Sequence, residues 1–239
     1  MISKKFRKTI LSILATTLIA VGTTSPAYAL NLDNNTEILD VHNRMLQGLP
    51  TNVDEQLGIA APNLAMPGNG SNTGYILIGD SRTAGLNVAC GINNTPDNWY
   101  AVACSSKGYN YMVNMAMPIA AQIEAAHPEI TNWTYVITMG VNDLGKADAF
   151  YNYISNLALT KRVCFVSVNP VRNGSPCNKY GYTNDKITKF NSKMMQMPGV
   201  KYIDTYTPMV TSGFNTLGDG LHYDEATTRA LYSLIRAGV

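Results

Sequence analysis

Histidine is scarce in this chain, with three among 239 residues, so candidates for a proton-transfer base at neutral pH are few. Cysteine is nearly as scarce, and the four residues stand 13 or more positions apart, which excludes a zinc knuckle built from closely spaced thiols. Charge is thin as well, at 14% Lys, Arg, Asp and Glu. The formal net charge of +2 comes from Lys4, Lys5, Arg7 and Lys8, and without those four cations the remainder carries −2. A surface of that balance excludes the broad basic face that nucleic acids or anionic membranes require. There is no internal repeat and no low-complexity tract, which excludes solenoids and disordered arrays.

What is present begins with an export signal. MISKKFRK supplies the cations, TILSILATTLIAVG is an apolar stretch, and Ala27-Tyr28-Ala29 offers small residues around a cut. That is the layout of a secretory signal peptide, cleaved near Ala29. The apolar stretch is too short and too rich in Thr and Gly for a membrane-spanning helix. The expected product starts near Leu30, is secreted or held at the cell surface, and has no stable membrane insertion. In an exported chain four cysteines suggest two disulfides, and short loops favour Cys90–Cys104 and Cys164–Cys177; four reduced, buried thiols are the rival.

Residues 30–74 read as a polar, irregular extension and linker, with one short helix in NTEILDVHNRMLQG and a loop at PGNGSNTG. From Tyr75 the pattern becomes rhythmic. YILIG (75–79), WYAVAC (99–104), WTYVITMG (133–140), RVCFVSV (162–168) and VKYID (200–204) are continuous apolar runs rich in β-branched and aromatic residues. Continuous runs predict strands buried on both faces. Helical patterns fall between them at 109–126, 149–159 and 183–197, with a last one after Asp224; Pro118 should kink the first or mark its start. This alternation predicts one α/β domain over 75–239, a three-layer α/β/α sandwich on a parallel sheet of about five strands.

In such sheets ligands bind beyond the carboxyl ends of the strands. The first run ends in Gly79-Asp80-Ser81-Arg82 and the third in Gly140-Val141-Asn142-Asp143. Asp219-Gly220-Leu221-His222 precedes the last helix. Of the histidines, His42 lies in the extension, away from the strand–helix core, and His127 is expected at the surface before Pro128. His222 has a carboxylate three residues earlier, so one turn can carry both an imidazole and the group that orients it.

These blocks, in this order, resemble those of the SGNH (GDSL-like) hydrolases, over roughly 75–239. The resemblance implies a flavodoxin-like fold and a serine esterase that uses no metal or cofactor. It makes Ser81 the nucleophile and His222 and Asp219 its partners. The oxyanion hole would comprise the Ser81 N–H, a glycine N–H assigned to Gly108 with Gly91 as competitor, and the Asn142 amide. Arg82 stands where the family name has leucine and is expected to alter the pocket wall. Asp80 and Asp143 are expected to bond loop N–H groups. The Gly-x-Ser-x-Gly elbow of the α/β-hydrolases does not occur. The expected substrate is an acylated small molecule or polysaccharide. A lipase-type acylhydrolase and a non-catalytic glycan-binding module on the same fold are the alternatives.

Overall fold

Each of the five apolar runs becomes a parallel strand, and period-two alternation divides its side chains between two cores. The computed structural model describes residues 30–239, so the predicted signal peptide lies outside the described residues. The strands are β2 (Thr73–Gly79), β3 (Trp99–Cys104), β4 (Asn132–Thr138), β5 (Arg162–Val166) and β6 (Val200–Ile203). Pairing runs β3-β2-β4-β5-β6, all parallel, with Tyr75 opposite Trp99 and Thr134 on its two sides. This is the flavodoxin-like order. A sixth strand, the two-residue β1 (Ile59–Ala60), adds to the edge antiparallel to β3 and makes the sheet mixed.

Along β2, Ile76 and Ile78 point into one core while Leu77 points into the other. The first face is covered by α1 (Asn35–Leu46), α4 (Met117–Ala126), α5 (Ala147–Leu157) and α6 (Asn184–Met194), through residues such as Val41, Ile119, Phe150 and Phe190. The second is covered by α3 (Ser81–Cys90), α7 (Tyr206–Ser212) and α8 (Glu225–Gly238), through Leu86, Met209 and Leu231. Fully burying a side chain of this size is worth about 1.5–3 kcal/mol, so apolar faces on both sides dictate a three-layer sandwich. Helix starts follow their caps: Thr183 Oγ1 accepts the Lys186 N–H and Asp224 Oδ1 the Thr227 N–H. Pro118 marks the start of its helix, as one of the two expectations had it. It sits in the first turn of α4, and the preceding Met112–Ala116 winds as a π-helix.

The extension contributes more to the domain than its polar composition suggests. Besides α2 (Val53–Gly58) and β1, it places Leu30, Leu32, Ile38 and Val41 in the first core. His42 is fully buried there, and His127 is buried too, its ring tilted against Tyr100 and its Nδ1 3.1 Å from Glu129. Neither histidine therefore stands where the sequence suggested.

The two expected disulfides are absent, and all four cysteines are free. The sheet itself separates each proposed pair. Cys104 and Cys177 belong to the first core, whereas Cys90 and Cys164 pack against the second. Burial raises all four thiol pKa values, that of Cys104 to about 12. Such thiols behave as small apolar side chains.

Candidate active site

The β2 strand lies between β3 and β4, so the loops leaving these three strands share one stretch of the sheet's carboxyl rim. Ser81 is the first residue of α3, with Asp80 as N-cap; Asp80 Oδ1 accepts the Arg82 N–H at 3.0 Å. This short turn presents the hydroxyl at the positive end of the helix. His222 Nε2 stands 2.8 Å from Ser81 Oγ although 141 residues separate them. On its other side, His222 Nδ1 lies 2.6 Å from Asp219 Oδ2. The second oxygen of Asp219 accepts the N–H groups of Leu221 and His222 at 2.8 and 3.0 Å, which fixes the carboxylate in its own turn. All three side chains are nearly closed to solvent, with relative exposures of 4% for Ser81 and 3% each for Asp219 and His222.

Electrostatics sets the direction of proton transfer. Burial pushes the Asp219 pKa up, but the His222 contact and the two N–H bonds outweigh it and hold the carboxyl below its ordinary range. An ionised carboxylate only accepts, so Nδ1 keeps its proton and Nε2 is left to accept from the Ser81 hydroxyl. Burial instead raises the pKa of Asp80 beside it, despite the Arg82 charge.

Asn142 follows β4 in the 3-10 stretch Val141–Lys146. Its Nδ2 donates to the Lys107 carbonyl at 2.7 Å, and its Oδ1 accepts from the Tyr182 hydroxyl at 3.3 Å. One Nδ2–H remains for a ligand. Asp143 Oδ2 accepts the Tyr109 N–H at 2.7 Å, and a side chain at Gly108 would collide with that carboxylate. Gly108 thus sits against the Asn142 loop. Gly91, the competitor, is the left-handed cap at the far end of α3 and has open space around it. Gly140 is required twice over: its φ is +134°, and a Cβ would press on Phe190 and Val168.

One contributor escaped the sequence reading, and another has a contact it did not foresee. Tyr182 orients the Asn142 amide without belonging to any block. Arg82, expected to alter the pocket wall, has a second engagement that its place in the block did not suggest. It donates to the carbonyls of Leu221 (3.1 and 2.9 Å), Asn169 (2.8 Å) and Pro170 (3.1 Å), with its guanidinium 4.8 Å from the Tyr223 ring centroid. The residue after the nucleophile candidate therefore grips the residue before the base candidate. A backbone carbonyl gives no sequence signal, so only the fold reveals this clamp.

No protein-family model and no curated protein matches the chain. Solved structures do. An inferred SGNH hydrolase from Slackia heliotrinireducens superposes with a TM-score of 0.55 at 14% identity, covering 70% of this chain and 98% of its own. An inferred acylhydrolase from Bacteroides fragilis gives 0.51 at 14% identity, covering 73% and 89%. The chain has the α/β/α fold of the SGNH hydrolases.

Proposed function

We propose that the protein is an exported serine ester hydrolase that removes acetyl or other short acyl groups from carbohydrate or cell-envelope polymers. The observation that carries this reading is the hydrogen-bonded chain from Ser81 through His222 to Asp219, at 2.8 and 2.6 Å. Likeness to structures described as an SGNH hydrolase and an acylhydrolase adds fold-level support. Among the described residues no helix is long and apolar enough to cross a membrane.

In this reading Ser81 Oγ attacks the ester carbonyl while its proton passes to His222 Nε2. The tetrahedral intermediate collapses, and the alcohol leaves with that proton. Water then attacks the acyl-serine, His222 again takes and returns a proton, and the acid departs. Asp219 stabilises the imidazolium at each stage. The transient oxyanion is met by the N–H groups of Ser81 and Gly108 and by the free Nδ2–H of Asn142. A preorganised donor of this kind is worth about 3–4 kcal/mol.

A fluorophosphonate probe should label Ser81, located by peptide mass spectrometry, and Ser81→Ala should lose both labelling and p-nitrophenyl acetate turnover. Wild-type turnover in that variant would overturn the assignment, and an unlabelled wild type would favour a glycan-binding module.

A further inference from the structure

A groove of about 740 Å³ opens beside Asn142, between the Val141–Lys146 stretch and a wall formed by Tyr180, Tyr182 and α6. That volume suits a small molecule or a few sugar units. Lys146, Lys186 and Lys189 line it, and all three are exposed. The one carboxylate in the lining, Asp143, is already engaged by the Tyr109 N–H at 2.7 Å and by Lys146 Nζ at 3.3 Å. Among the described residues, Lys186 and Lys189 have no ion-pair partner. The groove therefore carries uncompensated positive charge next to the proposed oxyanion donor.

Helix stability does not explain Lys186. Lys186 is the third residue of α6, in a first turn whose peptide dipoles favour anions. Lys189 follows at i+3, where like charges repel on a helix surface, and its favourable i−4 neighbour, Asp185, lies outside the groove's lining. The adjoining rim keeps the same sign. From residue 167 to 190, Arg172, Lys179, Lys186 and Lys189 face a single carboxylate, Asp185. A bound anion would relieve both the repulsion and the dipole conflict.

We propose that this groove binds a carboxylate or phosphate on the alcohol part of the ester, so that the substrate class is an acylated acidic glycan. The assignment to the alcohol rests on the esterase reading above, because a short acyl group leaves no place for the anion on the acyl side. Lys186 and Lys189 hold the charged sugar while Asn142 and Ser81 meet the ester.

Binding is measured by calorimetry on Ser81→Ala protein, which removes turnover from the readout. The probes are oligogalacturonate for carboxylate, a phosphodiester-linked hexose oligomer for phosphate, and neutral xylo-oligosaccharide. At least one acidic probe should bind tighter than the neutral one, and which of them does so identifies the anion. Lys186→Gln/Lys189→Gln should weaken that binding about tenfold, as should about 0.5 M NaCl. In otherwise wild-type protein the double variant should lower kcat/KM on the acetylated acidic oligomer by a similar factor and leave p-nitrophenyl acetate turnover unchanged. Equal affinity for acidic and neutral probes, or binding indifferent to the double substitution, would overturn the proposal. Failure of ester hydrolysis with the binding pattern intact would instead remove the esterase reading.

Discussion

His222 and His42 are both buried, yet they sit in opposite chemical situations. His222, in the rim loop, has an acceptor carboxylate at Nδ1 and a hydroxyl at Nε2. His42, in α1, has the Tyr111 hydroxyl 3.0 Å from Nε2, and among the described residues its Nδ1 has no partner. Burial drives the pKa of His42 down to about 4, which leaves a neutral ring that resists protonation. The contrast teaches that enclosure alone disables an imidazole, and that a buried histidine becomes a base only where a carboxylate awaits its cation.

Removing that carboxylate should break the contrast with the largest effect. Asp219→Asn keeps an oxygen for the Leu221 and His222 N–H groups but can present its amide to Nδ1, favouring the wrong tautomer. Its kcat on p-nitrophenyl acetate should fall about a thousandfold or more. A loss below tenfold would mean that His222 works without it. A smaller effect sharpens the contrast by leaving the histidine alone. Asn142→Ala should lower kcat by about a hundredfold while the acid limb of the pH–rate profile stays in place. A shifted limb would show that Asn142 acts through His222, and an unchanged kcat would exclude it from the site.

The smallest effect on catalysis belongs to His42, whose role concerns stability. Between its ordinary pKa of 6.5 and about 4, the unfolded chain binds a proton that the folded one refuses, so stability falls as pH falls through that window. The full loss is about 3 kcal/mol at 1.36 kcal/mol per pH unit. His42→Leu should keep wild-type kcat and flatten this slope in melting experiments from pH 7 to 4. Parallel slopes in the two proteins would contradict the account.

The rhythm of 75–239 was legible because every central strand is buried on both faces and so reads as an unbroken apolar run. The blocks around Ser81, Asn142 and His222 were legible because rim loops interrupt those runs with small and polar residues. β1 was not: two residues, Ile59 and Ala60, are too few to show any period. The cysteines misled because short spacing says nothing about which face of a strand a side chain takes. Cys104 and Cys164 each sit on the opposite face from the proposed partner, and a sheet stands between. His42 was misplaced because the polar residues around it lie on the outer face of α1, while Ile38 and Val41 carry the helix inward.

The Arg82 clamp has a kinetic corollary. Its bonds to Leu221 join segments 139 residues apart, nearly two thirds of the described chain. Contacts of such long range carry a loop-closure cost that falls once the intervening sheet has assembled. During refolding, recovery of reactivity toward a serine-directed probe should therefore trail the return of secondary structure, so that nascent forms of the protein are chemically silent until the last pieces dock.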